Sequence, residues 1–437
     1  MIINKAFRIN ELGHLEIGGI DCVDLAKEFG TPLYVLDEQS IRNVCKRYVK
    51  AAQAYPDSLI CFASKALSVK AIYKIIQSEN LGTDVVSGGE LYTAAAAGFD
   101  MDKVYFHGNN KSYDELVMAV KLGVHCIVVD NWNELELLNR VSRDNNNAKI
   151  KCMVRVNPGV EAHTHHYIQT SLPDSKFGFL LANGSALEVV KAIIDSDNLE
   201  FLGIHCHIGS QIFDDKPFIA AMDKMTEFAA QIYNNLKTPV KELNIGGGYG
   251  IRYMPEDNPL SFEDYITGCI QALKEMLKTK NIPAPRLIFE PGRSIVGEAG
   301  ITLYSVGSIK EIKGLKKYVA IDGGMFDNPR YALYQAKYSC ILANRTNEKP
   351  VETVTIAGKC CESGDIIIEN ANLPKAKTGD ILAVFSTGAY NYSMASNYNR
   401  NLVPPMVLVN QGKAQYIVKP QTYEDLISRD DIPEWLK

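Results

Sequence analysis

The sequence predicts an α/β fold: a (β/α)8 TIM-like barrel plus a C-terminal antiparallel β domain that also takes in the N-terminal segment. Three observations lead there. Between residues 59 and 300, short apolar runs alternate with segments whose apolar residues recur at helical spacing. There are eight such runs, the number a closed barrel of parallel strands requires. After residue 300 the alternation stops, and short β-rich runs separated by turns take over.

The first 36 residues end in the apolar Pro32-Leu33-Tyr34-Val35-Leu36 and precede the first barrel strand, so they are expected to pack with the β domain. The expected barrel strands are Leu59–Ser64, Thr83–Ser87, Lys103–His107, Cys126–Asp130, Lys151–Asn157, Phe201–Ile208, Glu242–Ile245 and Arg286–Glu290. Helical spacing marks Ser68–Glu79, Glu90–Ala97, Tyr113–Lys121, Asn133–Val141, Ala186–Ile194, Phe218–Leu236 and Phe262–Lys278. A doubly wound open sheet is the competing architecture. It would show a glycine-rich turn after its first strand, and none is present there. Asp144-Asn145-Asn146-Asn147 reads as a solvated loop. The later β runs are Ile301–Ile312, Lys317–Ile321, Val351–Ile356, Gly379–Phe385 and Met406–Val418, with little helix until Thr422–Ile427. The expected domains are therefore residues 37–300 for the barrel, and 1–36 with 301–437 for the β-rich part.

At 437 residues the chain is too long for one ordinary core. Its 46% hydrophobic and 22% charged residues are globular composition. A net charge of −5 speaks against nucleic acid as a partner and provides no basic patch for a membrane surface. No apolar run approaches the roughly 18–20 residues of a membrane span. Met1-Ile2-Ile3-Asn4-Lys5-Ala6-Phe7-Arg8 has no signal-peptide core or cleavage site, which predicts a cytoplasmic protein. Ten cysteines without a CxxC pair read as thiols in a reducing compartment rather than a disulfide framework. Cys360-Cys361 is a vicinal pair.

Residues with chemistry collect at the C-terminal ends of the strands, the face on which such barrels carry their sites. Lys65 ends strand one, and His107 with Gly108 ends strand three. Arg155 and Asn157 end strand five. His205, His207 and Ser210 lie at or after the end of strand six. Gly246, Gly247 and Gly248 follow strand seven, and Glu290 and Arg293 mark the end of strand eight. Each has a bland alternative. Lys65 could be a solvated lysine, or a desolvated amine that forms a Schiff base. Gly246–Gly248 could be a plain turn, or a place where backbone N–H groups converge on a phosphate. Glu290 could pair with Arg293, or with a pyridine nitrogen that it keeps protonated. His207 could be a core histidine, or could stack on a planar cofactor while Ser210 donates to its phosphate. Taken together, they read as a pyridoxal phosphate site. The spacing of His205 and His207 makes a metal conceivable. No metal is expected, because His163, His165 and His166 form no obvious third-ligand set and the Lys65–Glu290 pair has no metal role.

Further stretches carry a family resemblance. They are Ala63-Ser64-Lys65-Ala66, Asp84-Val85-Val86-Ser87-Gly88-Gly89-Glu90-Leu91, Phe106-His107-Gly108-Asn109-Asn110-Lys111, Arg155-Val156-Asn157-Pro158-Gly159, Asp174-Ser175-Lys176-Phe177-Gly178, His205-Cys206-His207-Ile208-Gly209-Ser210-Gln211, Asn244-Ile245-Gly246-Gly247-Gly248 and Glu290-Pro291-Gly292-Arg293. The β-rich part adds Asp327-Asn328-Pro329-Arg330-Tyr331-Ala332-Leu333-Tyr334, Cys361-Glu362-Ser363-Gly364-Asp365 and Gly388-Ala389-Tyr390. Nearly end to end, the chain resembles the diaminopimelate decarboxylases, a family of alanine-racemase-like (fold type III) pyridoxal phosphate enzymes. Several stretches are shared with ornithine and arginine decarboxylases. Arg330 with Tyr334 and the Cys361 stretch are similar to the diaminopimelate branch.

The resemblance implies a role for each position. Lys65 would bind the cofactor covalently, His207 would stack on its ring, and Glu290 would meet its nitrogen. Ser210, Gly246–Gly248, the turn Glu290-Pro291-Gly292-Arg293 and Tyr390 would form the phosphate side. Arg293, Arg330, Tyr334 and Tyr390 would bind substrate, Glu362 would accept its distal ammonium, and Cys361 would donate a proton. It implies a homodimer with active sites at the subunit interface, the Cys361-Glu362 segment coming from the other subunit. The implied reaction turns meso-2,6-diaminopimelate into L-lysine and CO2, the last step of lysine biosynthesis. A decarboxylase of ornithine, arginine, D-lysine or carboxynorspermidine on the same fold is the alternative, and Arg330 favours a substrate with a distal carboxylate. A non-catalytic regulator of this fold would have lost the lysine or the cysteine, and both are present. The chain departs from the family pattern at Leu67, where members often carry Asn, and slightly within Asp322-Gly323-Gly324-Met325-Phe326-Asp327.

Overall fold

A computed structural model describes residues 6–160 and 175–437. His163, His165, His166 and Asp174 lie outside the described residues. The chain divides into two compact units. One comprises Arg42–Ile251 and Asn258–Ile295; the other comprises Met1–Ile41, Arg252–Asp257 and Val296–Lys437.

The first unit is the barrel. Among the described residues its sheet has nine strands, of which Phe179–Leu180 pairs only with Ile150–Asn157. The other eight are Ser58–Ala63, Gly82–Val85, Val104–Phe106, Cys126–Val129, Ile150–Asn157, Leu199–His205, Glu242–Asn244 and Arg286–Phe289. All their pairings are parallel, and the last strand pairs back onto the first through Leu287↔Ser58 and Phe289↔Ile60. A parallel barrel buries both faces of each strand, which is why Cys126-Ile127-Val128-Val129 and its counterparts are continuous apolar runs. Phe179–Leu180 is too short to show in the sequence.

Four of the helices between strands begin at N-termini capped by a side chain. Ser87 accepts from Glu90 N, Asn131 from Glu134 N and Ser261 from Asp264 N, and Ser112 forms a reciprocal capping box with Glu115. These caps fix where those four helices start after their strands. Helix Lys70–Ser78 then buries Ile72, Tyr73, Ile75 and Ile76, one face at helical spacing. Each such side chain contributes about 1.5–3 kcal/mol by leaving water. Among the described residues, no helix is long and apolar enough to cross a membrane.

The second unit is β-rich. Its main sheet runs Ile366–Leu373, Glu352–Ala357, Lys316–Ile321, Gly300–Ile312, Leu33–Asp37, Met406–Asn410, Lys413–Val418; Ile381–Phe385 also joins Gly300–Ile312, and Cys340–Leu342 joins Ile381–Phe385. The N-terminal Leu33–Asp37 is thus an interior strand of this sheet. Most pairings are antiparallel, but Lys316–Ile321 with Glu352–Ala357 and Leu33–Asp37 with Met406–Asn410 are parallel. Leu33, Val35, Ile301, Leu303, Phe385, Val407 and Val409 share one core with Phe7, Leu15 and Ile17 of a small N-terminal sheet. The ten cysteines are all free, and only Cys361 is exposed.

Candidate active site

Alternation along the strands builds the polar part of the barrel. Tyr105, Val128, Met153 and Ile288 belong to one buried cluster. Two residues on from each, on the same face of its strand, stand His107, Asp130, Arg155 and Glu290. Asp84, His205 and Asn244 lie at the ends of the second, sixth and seventh strands. The apolar layer is therefore followed by a buried polar one.

Glu290 is its hub. It is 7% exposed. Asn244 Nδ2 donates to Oε1 at 2.6 Å, His107 Nε2 lies 2.8 Å from Oε1, and His205 Nε2 lies 3.2 Å from Oε2. The two imidazoles meet edge to face, 4.5 Å between ring centres. Burial pushes the Glu290 carboxyl up, but His107 and His205 together hold it well below the usual carboxylate range. Burial drives His205 down to about 3, so its ring is neutral. Asp84 moves the other way: burial, with Glu290 nearby, raises its carboxyl, against the pull of Lys65 and Arg155. Arg155 lies 3.8 Å from Asp130.

Lys65 sits in a single 3-10 turn, Ser64–Ala66, that closes the first strand, and its side chain is exposed. Ser64 Oγ and Val86 N both donate to Glu90 Oε2, at 2.8 Å each, tying this turn to the loop after the second strand. Leu67, the departure from the family pattern, is fully buried beside it.

The glycine loop follows the seventh strand. Gly247 N donates to His207 Nδ1 at 3.4 Å, so His207 presents an acceptor to this loop. Burial pushes the His207 imidazole well below its ordinary value, with Lys65, Arg155 and His205 pushing the same way. A Cβ on Gly247 would collide with the Glu290 carbonyl, and one on Gly248, whose φ is +118°, with that of Gly209. Arg293 Nη2 donates to Ser210 Oγ at 2.9 Å, bringing together two residues that the sequence places after different strands. The Pro291 carbonyl accepts from Ala63 N at 3.1 Å, and Gly292 packs against Ala63 and Ala66.

The β-rich unit holds the other expected residues on short local elements. Arg330 and Tyr334 are four residues apart on the helix Arg330–Tyr334, hence on one face. Arg330 is 7% exposed. Its guanidinium lies over the rings of Tyr253 at 5.0 Å and Tyr338 at 5.7 Å, and Nη1 donates to Tyr338 Oη at 2.6 Å. Burial works against its charge, and the two tyrosines more than offset that, so its pKa rises. Cys361 and Glu362 lie in an exposed loop. Asp365 holds that loop by accepting from Met325 N at 2.6 Å and Cys360 N at 2.7 Å, and Cys361 N donates to Asn399 Oδ1 at 2.7 Å. Tyr390 is half-buried with φ of +65°, a left-handed conformation uncommon for a side chain of this size.

His205 belongs with His107 and Glu290 rather than with His207. These three groups lie within 4.8 Å of one another, a spacing that a cation could bridge. Asn244, Asp84, Tyr253 and Tyr338 had no role in the sequence reading. For the first two, a polar residue at the C-terminal end of a barrel strand is the signal that finds them.

A model of the pyridoxal-dependent decarboxylases, pyridoxal binding domain, matches residues 41–297. The chain is 49% identical to the diaminopimelate decarboxylase of Bacillus subtilis (strain 168) over 431 residues, covering 98% of each chain. A crystal structure of diaminopimelate decarboxylase from M. jannaschii in complex with L-lysine is 36% identical, with a TM-score of 0.94 over 100% of both chains. The Helicobacter pylori diaminopimelate decarboxylase complexed with L-lysine is 32% identical, with a TM-score of 0.86 over 93% of this chain and 98% of that one. A strand-end lysine, a glycine loop and a buried carboxylate on one barrel, with this likeness along nearly the whole chain, make the protein a member of the diaminopimelate decarboxylase family of pyridoxal-dependent decarboxylases.

Proposed function

We propose that this protein converts meso-2,6-diaminopimelate to L-lysine and CO2, with pyridoxal phosphate as its cofactor, at the end of lysine biosynthesis. One observation carries the reading: an exposed lysine amine, Lys65, shares a barrel with a buried, ionised carboxylate, Glu290. Amine and anion are the two functions that the aldehyde and the ring nitrogen of that cofactor need.

The residues fit the cofactor. Gly246, Gly247 and Gly248 bring backbone N–H groups without side chains to the loop after the seventh strand, and Ser210 and Arg293 add a hydroxyl and a cation. When bound, the cofactor supplies an aldehyde for amine exchange and a ring that takes up electrons from a departing carboxylate. Lys65 would hold the aldehyde through its amine. Glu290, held as a carboxylate, would meet the ring nitrogen, and His207 would pack on the ring. Arg330 binds a substrate carboxylate as a pre-oriented cation between two tyrosines, Tyr334, Tyr390 and Arg293 assist, and Glu362 takes the distal ammonium. Cys361 Sγ delivers the proton that replaces CO2 on the α-carbon.

The working form is a cytoplasmic homodimer in which Cys361 and Glu362 of one copy serve the site of the other. The exposure of both residues supports this. The test of the activity is CO2 release by the purified protein, with and without added pyridoxal phosphate. It compares meso-diaminopimelate with ornithine, arginine, D-lysine and carboxynorspermidine. Turnover of the first is expected; turnover of the others alone would overturn the substrate assignment.

A further inference from the structure

The hydrogen bonds on Glu290 are unevenly divided between its oxygens. A carboxylate oxygen offers two lone pairs. Oε1 has two partners, Asn244 Nδ2 at 2.6 Å and His107 Nε2 at 2.8 Å; Oε2 has one, His205 Nε2 at 3.2 Å. An ionised carboxylate only accepts, so both imidazoles must donate, each through Nε2–H. Three acceptor positions are then filled and one lone pair of Oε2 is left.

We propose that His107, His205 and Asn244 are positioning residues that clamp Glu290 as a charged acceptor and leave that one lone pair for the protonated ring nitrogen of the bound cofactor. This rests on the reading of the barrel as a pyridoxal phosphate site. The physics is a competition for one proton. Carboxylate and ring nitrogen share it, and every donor on the carboxylate makes the carboxylate the weaker base. Three N–H donors therefore push the proton onto the ring. Other charged or titratable groups acting on this layer include Asp84, Asp130, Arg155, Lys65 and the buried thiols of Cys61 and Cys206.

His107, His205 and Glu290 could instead ligate a cation. That requires each imidazole to turn its Nε2 lone pair inward and carry its proton on Nδ1. His205 Nδ1 is buried without a hydrogen-bond partner. A proton there would be a buried, unsatisfied donor, and a ligating histidine ordinarily gives that proton to a partner. The donor clamp leaves Nδ1 merely as an unused acceptor.

The test uses the apo-protein and two probes, pyridoxal phosphate and its analogue with C–H in place of the ring nitrogen. Wild type is expected to bind the first more tightly. In His107→Leu and His205→Leu the preference should fall by about tenfold or more, the worth of a hydrogen bond to a charged group. His107→Gln and His205→Gln, which keep an N–H donor, should retain it. A purely structural role would weaken both probes equally, and an unchanged preference in the leucine variants overturns the proposal. If those variants fail to fold, the wild type decides. With ring-¹⁵N cofactor, the nitrogen resonance should stay that of a protonated ring from mildly acidic to mildly alkaline pH, and an unprotonated ring overturns the clamp. A stoichiometric metal ion in wild type that His205→Gln loses would also overturn it. Failure of wild type to bind either probe would sink the reading of the site itself, a different result from binding without discrimination.

Discussion

The two units hold their candidate residues in different ways. In the barrel, Lys65, Asp84, His107, Arg155, His205, Asn244 and Glu290 come from seven strands, and Glu290 alone bonds to residues from three others. In the β-rich unit, Arg330 and Tyr334 share one short helix, while Cys361 and Glu362 are neighbours in an exposed loop. The barrel fixes geometry through a closed sheet, whereas the second unit fixes it through local hydrogen bonds such as those of Asp365. The buried charges of the barrel sit at strand ends, and the residues proposed to meet a substrate or deliver a proton sit on a short helix and in an exposed loop.

The largest effect should come from the barrel. Lys65→Ala is expected to lose activity by at least about a thousandfold and to lose the cofactor's visible absorbance with it. Unchanged absorbance in the variant would break the assignment. The corresponding change in the second unit should separate the two properties. Cys361→Ala is expected to lower kcat by about a hundredfold or more while the absorbance remains. Lost absorbance with intact turnover would reverse that role. Mixing inactive Lys65→Ala with inactive Cys361→Ala should restore some activity if copies share sites; no rescue after confirmed subunit exchange would count against sharing.

Acid should expose the barrel's buried charges. His205 is held down to about 3 and stays neutral in the fold, while the unfolded chain binds a proton at about 6.5. Its contribution is therefore fully present above the unfolded value and is lost as pH falls, at up to about 1.4 kcal/mol per pH unit. Glu290, also depressed, adds loss of the same sign below about 4.5. Urea midpoints measured on either side of this window should fall less steeply for His205→Gln than for wild type; equal slopes would mean that His205 is not buried neutral.

Smaller effects should come from supports. Tyr338→Phe removes the hydroxyl that accepts from Arg330 and should raise KM about tenfold with little change in kcat. A fall in kcat alone would place Arg330 elsewhere in the reaction. Ser112→Ala removes one arm of a capping box and should cost about 1 kcal/mol of stability, read by urea titration, with activity unchanged at the ordinary assay temperature.

The barrel was legible because its strands are buried on both faces. Runs such as Leu59-Ile60-Cys61-Phe62 need no alternation to be recognised, and their ends mark the site face. Less legible was the partnership within that face. Nothing in the sequence ties His107 to Glu290, which are 183 residues apart, or Asn244 to either. The competing idea for Glu290, a bond to Arg293, came from their closeness in sequence; in the fold Arg293 goes to Ser210. Strand Ile366–Leu373 was missed because Glu369, Asn370 and Asn372 interrupt its apolar run. The helix at Arg330 was missed because five residues are too few to show a period. In the second unit the roles of Cys361 and Glu362 came from family resemblance alone, since an exposed cysteine beside a glutamate carries no physical signature of proton transfer.

The most direct measurement traps the bond between protein and cofactor. The holoprotein is reduced with borohydride, digested and mapped by mass spectrometry. The phosphopyridoxyl group is expected on Lys65, in the peptide that closes the first barrel strand, and on no other lysine. Label on a different residue, such as Lys111, or no label in a protein that still releases CO2, would contradict the account.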